Sequence, residues 1–315
     1  MRKVCSLIIV VLWSTQLLAQ QIVPTQPLVL ALNWKPEPQF GGFYAAQLQD
    51  YYKKNGLEVK ITEGGSGTPT IQMLVAGKVD YAVVSADEVV IAHARGANNI
   101  VALFATFQTN PQAIMTRAER GFKSIKEIMH GDGVLLWQSG LPYAQYLRKK
   151  YAPLTVMTAP YLGGIGSIQN DAKVSQQCFS TSEPLTAAAA GLKVNTFLVA
   201  DSGYNPYTTV LVTSRERWQD SPSEVKGMVA AARSGWNDYL QNPGNTNTVM
   251  QDLNKAMSAQ TFAQSAQAQQ ALIITDTTQR VGEMTSARWQ TLADQLLDIN
   301  VIQQPVSVKD LFIAL

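Results

Sequence analysis

Short apolar runs and helical stretches follow one another along this chain in a steady rhythm. Residues 28–32 form an apolar run too short to cross a membrane and rich enough in Leu and Val for a buried strand. Asn33 and Trp34 stand where that strand ends. Pro36 and Pro38 halt regular structure, and Phe40, Gly41, Gly42, Phe43 and Tyr44 lead into a helix that Asn55 and Gly56 close. Strand, aromatic-tipped loop and helix make the first unit of an open α/β sheet. Residues 57–62 alternate as a second strand, and the glycine-rich stretch 64–69 opens a helix over 70–76, with Thr68 as its cap and Pro69 as its first residue. Residues 79–84 read as a third strand. Ser85, with Glu88 three positions later, predicts a capping box at the head of a helix ending at Gly96. Residues 100–106 and 112–116 supply two more strands.

The pattern then restarts. A short helix over 124–129, a strand over 133–137, the turn Gln138-Ser139-Gly140 and a helix over 142–151 are followed by a strand at 155–158 and a helix near 168–174. Residues 177–180 lead to the turn Thr181-Ser182-Glu183-Pro184, an alanine-rich helix over 185–190 and a strand over 194–198. No sequence repeat relates the two sets; only the pattern recurs. Residues 207–213 predict a strand that returns to the first set, and the remainder is helical, over 222–240, 246–257, 260–270 and 286–297. The fold class expected is α/β in two lobes. Residues 26–117 with 207–315 make the first, and residues 118–206 the second.

Ligands of open α/β sheets bind beyond the carboxyl ends of the strands, which makes Asn33 and Trp34 candidates for ligand contact, with Phe40 of the same loop. Trp34 could instead cap a core, although Asn, Lys and two prolines are poor company for one. Gly65 and Ser66 lie where glycines let backbone N–H groups face an oxygen-rich group; a plain tight turn is the other reading. The loop lacks the Gly-Lys-Ser/Thr ending of a nucleoside triphosphate site. Ser85 is explained by its cap alone, yet with Asp87 it shares the rim of Asn33 and Ser66.

Composition narrows the class. The chain has 315 residues and is 46% hydrophobic, enough for a substantial core and, by length, about two domains. Arg2 and Lys3, an apolar stretch over 7–12 and Leu17-Leu18-Ala19 read as a secretory signal over residues 1–19, and Gln20 stands where a lipoprotein would carry cysteine. The mature protein is expected to be soluble and periplasmic. Lys and Arg number 25 against 23 Asp and Glu, and losing Arg2 and Lys3 with the leader brings them level, which argues against nucleic acid as a partner. Cys178 would be the sole cysteine of the mature chain, so neither an intramolecular disulfide nor a cysteine metal cluster is expected. His93 and His130 lack metal spacing, no Ser/His/Asp set is recognisable, and no metal or cofactor is expected.

The segment LNWKPEPQFGGFYAAQLQDYYKKNGLEVKI resembles the opening of bacterial solute-binding proteins of the thiamine-pyrimidine-precursor class, whose relatives bind taurine, aliphatic sulfonates and other small solutes for ABC importers. GGSGTPTIQMLVAGKVDYAVVSADEVVIAHARG, the TSEP turn and VGEMTSARWQTLADQLLDINVIQQPV extend the resemblance over nearly all of the mature chain. It implies a two-lobed periplasmic binding fold of type II, a monomer that closes on a small-molecule ligand and delivers it to an ABC permease in the inner membrane. It places Asn33, Trp34, Gly65, Ser66, Ser85, Asp87, Gln138, Ser139 and Glu183 around the ligand. Eukaryotic relatives that make the thiamine pyrimidine resemble the same fold, but look to need a cysteine-rich iron-binding segment that this chain lacks, so a non-catalytic protein is expected. A sensor or adaptor domain without its own importer is the other alternative. A sulfonate would be repelled by Glu183. A planar nitrogen heterocycle would stack on Trp34 and offer its edge to Asn33 and Glu183, which puts a thiamine pyrimidine precursor first and a flavin second.

Overall fold

Among the residues that the computed structural model describes, 26–276 and 280–315, the strands sort into two sheets of five. The expected leader, residues 1–19, lies outside the described residues. The chain begins with β1 (Leu28–Ala31), α1 (Gly41–Leu48), α2 (Tyr51–Lys54), β2 (Val59–Thr62), α3 (Thr70–Val75), β3 (Tyr81–Val84), α4 (Ala86–Ala94) and β4 (Ile100–Phe107). It continues through β5 (Gln112–Arg117), α5 (Ile125–Met129), β6 (Val134–Trp137), α6 (Pro142–Lys150), β7 (Met157–Pro160), α7 (Gly166–Asn170), β8 (Val174–Phe179), α8 (Glu183–Ala189) and β9 (Val194–Leu198). It closes with β10 (Thr208–Ser214), α9 (Arg215–Asp220), α10 (Pro222–Gln241), α11 (Gly244–Leu253), α12 (Ala259–Ala268), α13 (Gln270–Ile273) and α14 (Ser286–Asp298).

The first sheet runs β2-β1-β3-β10-β4 and the second β7-β6-β8-β5-β9. In each, one strand is antiparallel to both neighbours: β10 between β3 and β4, and β5 between β8 and β9. These are the strands that enter each sheet directly from the other lobe, without the crossover helix that would set them parallel.

Sheet membership moves one expected boundary. The first lobe was carried to Arg117, but β5 pairs with β8 from Gln112 onward, so the chain leaves the first lobe at residues 108–111. A central strand buried on both faces, as β5 is, carries no mark in its sequence of which sheet it will join. The return crossing occupies residues 199–207. The helix expected over 168–174 sits at Gly166–Asn170, because Gly163 and Gly164 make the turn with positive φ and Val174 is already paired to Val134. Thr68 does not cap α3. Pro69 occupies the cap position and the Thr68 hydroxyl accepts the Gly65 N–H at 2.8 Å. The helix α9 was not anticipated.

Gly41 and Gly42, expected to lead into a helix, are its first residues, and they let α1 lie against α10. A Cβ on Gly42 would fall 2.2 Å from the Trp236 ring, and one on Gly235 would fall 2.1 Å from the Gly42 carbonyl oxygen. Phe43, Trp236 and Tyr239 meet edge to face in the space this leaves. Gly42→Ala should therefore destabilise by about 1–3 kcal/mol through overpacking, seen as a lowered melting temperature; an unchanged value would mean that α1 and α10 are free to separate.

The last long helix, α14, braces the return crossing. Arg288 Nε and Nη2 donate to the Asn205 carbonyl at 3.0 and 2.9 Å while its guanidinium lies 3.9 Å over the Tyr207 ring. Gln295 Nε2 reaches the Gly203 carbonyl at 2.8 Å, and Lys149 of α6 pairs with Asp298 at 2.7 Å.

Candidate ligand-binding cleft

The carboxyl ends of the parallel strands carry nearly every residue singled out from the sequence. Asn33 and Trp34 follow β1, Gly65 and Ser66 follow β2, and Ser85 and Asp87 follow β3. On the other lobe Gln138 and Ser139 follow β6, and Glu183 follows β8 as the first residue of α8. Phe40 is the exception: it is 1% exposed and belongs to the core beneath α1 and α10, so the ligand role expected of it gives way to packing.

Trp34 is 38% exposed and lies outside that core. Its Nε1–H donates to Glu37 Oε1 at 3.1 Å. Gly64 ties the second loop to the first. Its N–H donates to the Trp34 carbonyl at 3.0 Å, and a Cβ there would fall 2.1 Å from the Leu32 oxygen, so only glycine fits. The Gly65 N–H is taken by Thr68 and does not face outward, against the expectation for a helix-head anion site. Ser66 stays exposed.

Ser85 lies partly exposed on this rim, with its polar groups engaged within the turn. Its N–H donates to Glu88 Oε2 at 2.8 Å within the expected capping box, and its hydroxyl lies 2.5 Å from Asp87 Oδ1. Asp87 is buried, which raises its carboxyl above the usual range, and bonds from Ser85 and Tyr204 oppose the rise. The Tyr204 hydroxyl, on the return crossing, donates to Asp87 Oδ2 at 3.3 Å. Asp87 thus joins the first lobe's rim to the hinge.

On the second lobe a cavity of about 340 Å³ is lined by Trp137, Gln138, Ser139, Thr158, Pro160 and Tyr161. Gln138 is pinned by Gln177, whose Oε1 accepts the Gln138 N–H at 2.5 Å and whose Nε2 donates to Gln138 Oε1 at 2.9 Å. Glu183 stands beside this cavity. Its Oε2 accepts the Phe179 N–H at 2.8 Å and its Oε1 accepts the Tyr161 hydroxyl at 3.0 Å. Burial raises the Glu183 carboxyl above its ordinary range despite these bonds.

Glu37, on the first lobe's rim, lies within electrostatic reach of Glu183 on the other. Burial first, and then the charge of Glu183 across from it, push its carboxyl up to about 7, against the Trp34 bond and Lys35. Glu37, Tyr161, Gln177 and Tyr204 were not singled out from the sequence. The two prolines around Glu37 were visible, but the partners that bury it are supplied by helices more than two hundred residues away. Among the described residues no group of three or more His, Cys, Asp and Glu could hold a metal ion, and Cys178 is buried and unpaired.

A sequence model of the family described as NMT1/THI5 like matches residues 37–246. A riboflavin-binding protein of Chloroflexus aurantiacus is 24% identical over 69% of this chain and 64% of its own length. A formylaminopyrimidine-binding protein of Halalkalibacterium halodurans is 20% identical over 89% of this chain and 88% of its own. A 4-amino-5-hydroxymethyl-2-methylpyrimidine phosphate synthase of Saccharomyces cerevisiae is 31% identical over 23% of this chain and 21% of its own length. The chain therefore spans less than two thirds of the riboflavin-binding protein and about a fifth of the yeast synthase. Among solved structures, the periplasmic aliphatic sulphonate-binding protein SsuA of Escherichia coli superposes with a TM-score of 0.67 at 12% identity, over 90% of this chain and 92% of that one. That likeness shows the two-lobed periplasmic binding protein fold.

Proposed function

Because the chain belongs to the NMT1/THI5-like family, we propose that it is the secreted, periplasmic substrate-binding component of an ABC importer, monomeric, capturing a small planar nitrogen heterocycle of the thiamine-pyrimidine-precursor kind. The lobes close on the ligand, and the closed form presents it to the permease. The observation that carries this reading is Glu183, an acceptor held at the cleft by Tyr161 and the Phe179 N–H, with the exposed Trp34 ring on the opposite lobe. A carboxylate accepts from amino and ring N–H groups, and an exposed indole offers a stacking face. The relative named for formylaminopyrimidine binding, which matches along most of both chains, supports the same ligand class.

A flavin is the second reading, favoured by the riboflavin-binding relative. The cavity of about 340 Å³ lies at the lower end of the size range of small-molecule sites, which suits one ring better than three. A synthase activity is a third reading: the synthase of Saccharomyces cerevisiae matches only 23% of this chain, but that of Schizosaccharomyces pombe is 23% identical over 70% of it. No helix among the described residues is long and apolar enough to cross a membrane. The apolar leader over residues 1–19 supports export.

Thermal-shift measurements against aminopyrimidines, riboflavin, taurine and alkyl sulfonates test the proposal. The aminopyrimidines should give the largest rise in melting temperature; a rise with taurine or a sulfonate and none with pyrimidines would overturn it. Trp34→Ala should weaken aminopyrimidine binding about tenfold or more, since a stacked aromatic contributes roughly 0.5–1.5 kcal/mol beyond its buried area. Calorimetry showing unchanged affinity together with a large drop in melting temperature would return Trp34 to the core.

A further inference from the structure

Glu37 lies in a turn that the C-terminal helices clamp from two sides. The Pro36 carbonyl accepts Asn254 Nδ2 at 3.1 Å, and the Pro38 carbonyl accepts Gln269 Nε2 at 2.9 Å. Both bonds are buried, so the position of the carboxylate between the two prolines is fixed. The Pro38–Phe40 turn packs on α12, α12 packs on α8, and α8 begins with Glu183. One carboxylate from each lobe is thereby set within electrostatic reach of the other, each held by an aromatic donor: Trp34 Nε1 on Glu37 and the Tyr161 hydroxyl on Glu183. Beside them, the buried Trp137 lines the cavity with Tyr161, and its Nε1–H has no acceptor among the described residues.

Two like charges closing on each other are unfavourable unless a proton or a cation comes between them. We propose that Glu37 is a second ligand-reading carboxylate, and that with Glu183 it selects a ligand bound as a cation, such as an amino-heterocycle protonated on its ring or bearing an amidine-like edge. This rests on the heterocycle reading above and narrows it to basic heterocycles, excluding neutral flavins and anionic sulfonates. The charged groups around Glu37 are few. Lys35 is its exposed neighbour and Glu183 faces it from α8. Residues 259–268 of α12 carry no titratable side chain. Near Asn254, Asp252 and Lys255 pair with each other at 2.7 Å on the surface.

The protons balance as follows. Below about pH 7 Glu37 holds a proton in the empty protein, and a neutral ligand takes it over on binding, with no net uptake from solvent. Above that pH Glu37 is ionised, and each binding event takes up one proton. Affinity for a neutral amino-heterocycle is then flat on the acid side and falls about tenfold per pH unit on the alkaline side. A permanently cationic probe, such as an N-methylated aminopyrimidinium, shows the opposite sign and binds more tightly as Glu37 ionises.

The test is calorimetry of the full chain with 4-amino-5-hydroxymethyl-2-methylpyrimidine and the N-methylated cation, from about pH 5.5 to about pH 8.5, for the unaltered protein, Glu37→Gln and Glu37→Asp. Glu37→Gln should bind the pyrimidine about tenfold more weakly on the acid side and lose the pH step for both probes; Glu37→Asp should keep the step. Without ligand, Glu37→Gln should melt higher than the unaltered protein on the alkaline side and match it in acid, which establishes that the variant folds. Pyrimidine affinities of Glu37→Gln within twofold of the unaltered protein at every pH overturn the inference and leave the heterocycle reading standing. Binding of riboflavin or taurine with no binding of either pyrimidine overturns both.

Discussion

Glu183→Gln should lower aminopyrimidine affinity by about 30-fold to 1,000-fold. In the structure both Glu183 oxygens already accept protein donors, Phe179 N–H on one and Tyr161 O–H on the other. A glutamine in that place can keep its oxygen on the Phe179 N–H and donate its NH₂ to the Tyr161 hydroxyl oxygen, so the fold retains both contacts while a donor on the ligand meets an NH₂. The charge-assisted bond to the ligand is lost and a buried group is left unpaired, which costs about 2–4 kcal/mol, or roughly 1.4 kcal/mol per decade of affinity. Removing an acid from the first position of α8 should cost the fold itself only about 0.3–1 kcal/mol. Calorimetry should therefore show the large change and thermal melting a small one. A Glu183→Gln protein that binds its natural ligand more tightly would exclude the basic heterocycle and favour an anion such as a sulfonate.

Trp236→Ala should do the reverse. Trp236 is fully buried, and its ring meets Phe43 and Tyr239 edge to face at centroid distances of 6.0 and 5.8 Å. Gly41 and Gly42 have no side chains with which to fill the space its loss would open, and α10 is held against α1 along its length. The cavity should cost about 3–5 kcal/mol. At roughly 2 °C per kcal/mol for a chain of this size, the melting temperature falls by about 6–10 °C. Two tryptophans then give opposite signatures: Trp34→Ala alters affinity and spares the fold, whereas Trp236→Ala alters the fold. A Trp236→Ala protein melting within about 2 °C of the unaltered one would show that the α1–α10 seam contributes little stability.

Loss of stability with rising pH has a specific source in the empty protein. The Glu37 carboxyl titrates near 7 when folded, above the ordinary 4.5. Its contribution is complete below the unfolded value and is lost as pH rises through the folded one. The binding of a cation reverses that loss, so ligand should protect most strongly on the alkaline side of 7 where the ligand carries a fixed charge.

The sequence by itself determined the local units. Apolar runs of strand length ended by Asn33-Trp34, Ser85 and Gln138-Ser139 mark the strand ends because turn and cap residues act on their nearest neighbours. The α/β class, the placing of candidates at strand ends and the return of β10 to the first sheet follow from those units. So does the place of Glu183 at a helix head, ahead of Pro184 and an alanine-rich helix, whereas its bonds from Phe179 and Tyr161 belong to the tertiary structure. Only the tertiary structure decided which sheet β5 joins, since a strand apolar on both faces fits the centre of either. It alone decided that Phe40 is core, because the helices covering it follow nearly two hundred residues later. It also decided that Gly41 and Gly42 are contact points for Trp236 and Tyr239, and that the Gly65 N–H turns inward to Thr68. Glu37 is the clearest case. Its charge state depends on a proline turn fastened by Asn254 and Gln269, and on Glu183 arriving from the other lobe. Burial and electrostatic fields sum over everything nearby in space, and for this residue almost all of it is distant in the chain.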